Sequence, residues 1–140
     1  MSMISTKGRY ALRVMADLAG HQADGYLPLA EVAQRQGISE KYLENIIKSL
    51  VQAKLLTGIR GKGGGYRLTK RPEEYTVGGI LRAAEGDLAP VACLESGASP
   101  CPRQADCPTL GMWMRLDEVI RNFLDSVSLA DLLTPPQNGD

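Results

Sequence analysis

Cys93, Cys101 and Cys107 are the residues whose type and spacing most plainly invite chemistry, in the pattern Cys-x7-Cys-x5-Cys. They sit on a stretch punctuated by Pro90, Pro100, Pro102 and Pro108, and Cys107 falls just before a predicted helix start. The partial positive charge of a helix N-terminus favours the thiolate, the form that binds metal or meets oxidants. Three soft thiolates close together suit an iron–sulfur cluster or zinc. The spacing fits no common ferredoxin or zinc-finger pattern, so a metal-free thiol switch and three buried free thiols stay open as readings. No Cys-x-x-Cys pair is present to make a thiol redox enzyme. His21 is the single histidine; it argues against a His-rich metal site or a His-based triad and reads as a helix-end residue stabilised by the dipole. No catalytic residue is predicted.

A second set of residues suits a polyanion. The formal net charge of the 140 residues is zero, but the charges segregate. Residues 1–71 carry 12 Lys/Arg against 5 Asp/Glu, and residues 72–140 carry 4 against 11. A net of +7 on the first half points to nucleic acid, while the acidic second half keeps the molecule soluble. Within the basic half, Ser39, Lys41, Tyr42 and Glu44 share the opening turns of a predicted helix, the part of a helix that meets bases in the DNA major groove. Ser39 reads first as the helix cap. Glu44 is informative, because a carboxylate facing a polyanion is costly unless it accepts from a base such as cytosine N4. Further on, Arg60, Gly61 and Lys62 crown a glycine-rich turn slim enough to carry a cation into the minor groove. A phosphate-cradling nucleotide loop would need strand–loop–helix context, whereas residues 61–65 join two predicted strands.

The elements that must position these groups are legible from period and punctuation. Ser5 or Thr6 caps a first helix with Tyr10, Ala11, Val14, Met15, Leu18 and Ala19 at helical spacing. Pro28 suits the first turn of a short second helix bearing Leu29, Val32 and Ala33 and ended by Gly37. Ser39 caps a third helix carrying Tyr42, Leu43, Ile46, Ile47, Leu50 and Val51. The two-residue gap between the second and third helices is helix-turn-helix geometry. Residues 55–60 and 66–69 then read as strands around the Gly61–Gly65 turn. Thr76 caps a helix through Val77, Ile80, Leu81 and Ala84, closed by Gly86. Loop composition follows over 87–108.

The expected class is therefore mainly α with a small β-hairpin: a winged helix-turn-helix over residues 1–86, a Cys-containing sensor loop over 87–108, and a long helix with a closing turn over 109–134. The long helix bears Leu116, Ile120, Phe123 and Val127, widened by Trp113 and Leu124. A chain this small has little core left to cover that stripe, so pairing with a second copy is expected. Residues 135–140 should fray. No apolar run approaches the roughly 20 residues that span a bilayer. The first residues lack the apolar core of a signal peptide, so no membrane association and a cytoplasmic location are expected.

The runs Lys7-Gly8-Arg9-Tyr10-Ala11, Ser39-x-x-Tyr42-Leu43-Glu44 and Arg60-Gly61-x-Gly63-Gly64-Gly65-Tyr66-x-Leu68 resemble the Rrf-type winged-helix transcriptional regulators, in particular their iron–sulfur cluster regulator group. The resemblance spans nearly the whole chain. It implies a homodimer on near-palindromic double-stranded DNA, with Glu44 tuning base preference and Arg60 as the wing's minor-groove contact. It also implies that Cys93, Cys101 and Cys107 hold an iron–sulfur cluster, either [2Fe-2S] or [4Fe-4S]. Two departures stand out: the first cysteine gap is about one residue longer than is usual, and Leu110 occupies the place where such regulators often have a ligating His. The fourth ligand is left among Asp106, Glu95, the other subunit and a small thiol. Other members of the resembling family carry no cluster, so a repressor governed by a metabolic-enzyme partner or by thiol oxidation is the alternative.

Overall fold

The computed structural model describes residues 4–95, 97, 102–103 and 105–134. Among the described residues, six helices and one hairpin follow in the order α1 Thr6–Gly20, α2 Leu29–Gln36, α3 Glu40–Gln52, β1 Leu56–Ile59, β2 Gly65–Leu68, α4 Val77–Glu85, α5 Leu110–Ser126 and α6 Leu129–Leu132. Single 3-10 turns lie at Gln22–Asp24, Pro72–Glu74 and Ala92–Leu94. The predicted class and its helix-turn-helix with wing are what the chain adopts.

Helix starts follow the cap chemistry. Ser5, Ser39 and Thr76 each accept a hydrogen bond from the backbone N–H three residues on, at 3.4, 3.2 and 2.9 Å. Pro28 caps α2 from outside with extended backbone (φ −62°, ψ 143°), one residue before the first turn expected for it. Gly37 ends α2 in the left-handed region (φ 65°), and the Ile38 N–H reaches back to the Ala33 carbonyl at 3.1 Å. That closure turns the chain within two residues, and Ile38 buries itself beneath the turn.

The core gathers Val14, Met15 and Leu18 of α1, Val32 of α2, Leu43, Ile46, Ile47 and Leu50 of α3, Leu56 of β1 and Ile80 of α4. Leu129 of α6 is wholly buried in the same core, so the end of the chain returns to the module it began. Tyr75 anchors that return: its hydroxyl donates to the Leu55 carbonyl (2.8 Å) and accepts from the Thr69 and Lys70 N–H groups (2.9 and 3.1 Å), while its carbonyl accepts from Leu129 N–H at 2.9 Å.

The hairpin pairs Leu56 with Leu68 and Gly58 with Tyr66. A third piece of chain joins it, because Leu27 and Tyr66 exchange both backbone hydrogen bonds at 2.9 Å. Gly65 lies where this contact is tightest. Its φ is 150°, and a Cβ there would run into the Leu27 carbonyl. The sequence pattern places Gly65 in the turn; its pairing with Ile59 draws it into the strand instead.

α5 differs from the single stripe expected of it. Leu124 and Val127 pack on the buried cluster of Val77, Leu81 and Leu88, and Ile120 lines a cleft of about 340 Å³ shared with α4 and the segment after it. A flank about a quarter-turn round the helix leaves Met112, Leu116, Val119 and Phe123 exposed. The helix has two apolar sides because α4 offers a second small core that periodicity alone does not reveal.

Candidate nucleic-acid interface

α3 buries Leu43, Ile46, Ile47 and Leu50. At 3.6 residues per turn, the opposite direction falls on Lys41, Asn45, Lys48 and Gln52, and all four are exposed. Ser39, Lys41, Tyr42 and Asn45 line one shallow depression beside the helix. Glu44, Lys48, Gln52 and Tyr66 line another, between the helix and the hairpin. Glu44 is exposed on that wing-side flank rather than at the centre of the outward face. Ser39 performs its cap role, accepting from Tyr42 N–H.

Tyr42 is half-buried and held from behind. Its ring meets Tyr10 edge-on at 5.9 Å with an interplanar angle of 73°. Arg13 covers Tyr10 at 5.0 Å and is itself fixed by Gln36, through the side-chain oxygen (3.1 Å) and the backbone carbonyl (2.7 Å). Lys7 donates to the Ser49 hydroxyl of α3 at 2.9 Å. α1 thus braces the recognition helix from its side, a role that the opening Lys7–Ala11 run did not disclose by spacing.

Arg60, Gly61 and Lys62 are exposed at the hairpin tip. Gly61 and Gly63 have φ of 96° and 79°, which β-branched and bulky residues avoid. The tip is slim because only glycines hold this backbone, and its two cations project unpaired by any ion pair among the described residues. Asn45, Lys48 and Gln52 were not singled out from the sequence; the signal was there as the polar complement of the Leu43, Ile46, Ile47, Leu50 pattern.

Of the three cysteines, Cys93 is an exposed free thiol in the 3-10 turn, and Cys107 is a half-buried free thiol just before α5. Cys101 lies outside the described residues, as does the predicted frayed end at 135–140. The Thr109 hydroxyl, 3.4 Å from the Cys107 sulfur, holds that thiol below its ordinary range, aided by the backbone N–H groups of Thr109 and Leu110. A thiolate is what a soft metal needs, so the chemistry of Cys107 and the exposure of Cys93 fit a cluster ligand set. Leu110 opens α5 and offers no donor, and Glu95 and Asp106 are exposed. Among the described residues no three of His, Cys, Asp or Glu converge into a metal cage. His21 caps its own helix end, its Nδ1 lying 2.8 Å from the Asp17 carbonyl oxygen.

A recognition helix with a polar outward face, braced by α1 and set beside a glycine-tipped hairpin bearing Arg60 and Lys62, defines a winged helix-turn-helix transcriptional regulator. The chain belongs to the Rrf2 family of iron-dependent transcriptional regulators, whose pattern it matches over residues 4–135. It is 39% identical to the HTH-type transcriptional regulator IscR of Aliivibrio salmonicida over 130 residues, 93% of this chain and 76% of that one. Among solved structures it is similar to CymR, the global cysteine regulator of B. subtilis, with a TM-score of 0.75 and 38% identity over 95% of this chain and 97% of that one. It is likewise similar to IscR of T. potens, with a TM-score of 0.73 and 37% identity over 93% of this chain and 85% of that one. No helix among the described residues is long and apolar enough to cross a membrane.

Proposed function

We propose that this protein is a dimeric, sequence-specific DNA-binding regulator whose affinity responds to an iron–sulfur cluster held by Cys93, Cys101 and Cys107. The observation that carries the DNA part is the outward face of α3, with Lys41 and Lys48 flanking polar side chains beside the cationic tip at Arg60 and Lys62. On the near-palindromic duplex, α3 enters the major groove, Arg60 enters the minor groove and Gly61 lets the tip approach closely. Ser39 and Tyr42 stand at the phosphate edge, and Glu44 accepts from a cytosine amino group on the wing side. Two copies joined along α5 place two such faces on one side of the duplex.

The cluster reading rests on the three thiols, on the lowered Cys107 pKa and on the iron-dependent family. When bound, the cluster supplies a redox-active, labile charge beside α5. This chain's own part is to favour the Cys107 thiolate through the Thr109 hydroxyl and to root the loop on the buried Leu88. Purification under nitrogen should yield a brown protein with acid-labile sulfide, and Cys101→Ala should lose both colour and sulfide. A colourless anaerobic preparation without iron ends the cluster reading and leaves DNA binding standing.

A second reading has its own support in Leu110, which offers no fourth ligand, and in the likeness to a cysteine regulator. Here, without metal, either the thiols act by oxidation or a metabolic-enzyme partner reads the same surface. The thiol version requires DNA affinity that changes with peroxide in iron-free protein and stops changing when all three cysteines are replaced; the partner version requires pull-down of the enzyme under reducing conditions, with DNA affinity unaffected by replacing the cysteines.

A further inference from the structure

The geometry points to Asn45 as a base-reading residue that recognises adenine from the centre of the recognition face; this deepens the DNA-binding reading above and rests on it. Three observations carry the inference. The first is direction. The four buried residues of α3 fix where the helix faces inward, and the residues diametrically opposed are Lys41, Asn45, Lys48 and Gln52. Glu44 stands about a sixth of a turn or more off that axis, toward the hairpin, as its shared depression with Tyr66 records.

The second is depth along the axis. The N-terminal part of a recognition helix is what reaches base edges. Asn45 lies in the second turn, between Lys41 and Lys48, while Gln52 ends the helix. The two lysines are cations suited to phosphates on either wall of the groove, which leaves Asn45 over its floor.

The third is chemistry. The Asn45 side chain is exposed, in a depression shared with Ser39, Lys41 and Tyr42. A carboxamide presents one acceptor and one donor in a plane. That matches the adenine N6 amino group and N7 together, a bidentate fit no other base edge in the major groove offers so well. Glu44, an acceptor only, suits cytosine. Neighbouring positions on α3 thus carry complementary codes aimed at different base pairs: Glu44 toward the wing and Asn45 away from it.

The test begins with selection of duplexes from a random library by the full-length protein and by Asn45→Ala. The wild type should enrich a two-fold symmetric site with adenine at one position of each half. Asn45→Ala should bind that site about ten- to a hundredfold more weakly and lose the adenine preference there, with the other positions retained. Replacing that adenine with 7-deazaadenine should weaken the wild type and leave Asn45→Ala unaffected. Lys41→Ala serves as the comparison, lowering affinity for all duplexes alike and flattening the salt dependence. A uniform loss with an unchanged preference at every position, or equal sensitivity of both proteins to 7-deazaadenine, overturns the assignment while the DNA-binding reading survives. Failure of the wild type to enrich any sequence defeats that reading, and this one with it. Circular dichroism of Asn45→Ala, unchanged for an exposed position, shows that the fold is intact.

Discussion

Arg35 grips Asp17 with both arms of its guanidinium, Nη2 to Oδ1 at 2.6 Å and Nε to Oδ2 at 3.0 Å. The carboxylate is buried in α1, and Gln36 adds a third donor at 2.8 Å. Burial by itself pushes the Asp17 pKa up; the hydrogen bonds from Arg35 and Gln36 and the Arg35 charge outweigh it and hold the group below the usual carboxylate range. The clamp fastens α2 to α1. Because Gln36 also fixes Arg13, it reaches through Tyr10 to Tyr42 in the first turn of α3.

A depressed folded pKa stabilises the protein above the unfolded value of about 3.9. That contribution is complete near neutral pH and is lost as pH falls through the folded pKa. Equilibrium denaturation of the wild type should therefore weaken progressively below about pH 4, and Asp17→Asn should flatten that acid limb. Asp17→Ala should cost about 3 kcal/mol near neutrality, since it removes the buried carboxylate that ties α2 to α1 and leaves Arg35 only its Glu31 partner at 2.9 Å. An acid limb identical in wild type and Asp17→Asn would show that another carboxylate governs it.

Two glycines of one chain should respond to alanine with opposite signs. Gly65 has φ of 150° against the Leu27 carbonyl, so Gly65→Ala should cost about 2 kcal/mol or more by breaking the bridge that seats the hairpin. Gly20 ends α1 with open space where its Cβ would go, and Gly20→Ala should stabilise by up to about 0.5 kcal/mol. Thermal melts of the two variants read both signs directly.

Arg60 is exposed on a tip that carries no structural duty, so Arg60→Ala should fold as the wild type does. It should weaken binding across all duplexes and lower the slope of log affinity against log salt by about 1. Glu44→Ala should leave the slope nearly unchanged and alter base preference. Titrations by fluorescence anisotropy at several salt concentrations separate the two behaviours.

Local chemistry made most of this fold legible beforehand. Ser5, Ser39 and Thr76 announced three helix starts because a hydroxyl at that place satisfies a backbone N–H left over by the helix. The hairpin was readable because the glycines at 61, 63 and 64 suit neither helix nor strand and supply the turn between two strand-like runs. What escaped was long-range. Leu27 carries no strand signal of its own, and it joins Tyr66 only because the fold brings them together. On α3 the charge of Glu44 is conspicuous in the sequence, whereas the outward direction of Asn45 is fixed only by the buried face of the helix taken as a whole. The split of α5 likewise depended on Val77, Leu81 and Leu88 forming a core elsewhere in the chain.

That split yields the sharpest expectation about assembly. Val119 and Phe123 are each 63% exposed, on a flank of α5 about a quarter-turn from its packed side, whereas Leu124 packs against the Val77, Leu81 and Leu88 cluster. Exposed apolar side chains spaced four apart on one helix gain little in water and much against a second apolar helix. Placing a charge among them leaves the protomer's own core untouched but puts an unpaired carboxylate into any interface. Phe123→Glu should therefore give a folded monomer by sedimentation equilibrium, with DNA affinity reduced because two half-sites can no longer be held at once. Leu124→Ala should do the reverse, keeping the dimer while costing about 2–3 kcal/mol of stability through the cavity it leaves. A Phe123→Glu protein that still sediments as a dimer would place the subunit contact on some face other than α5.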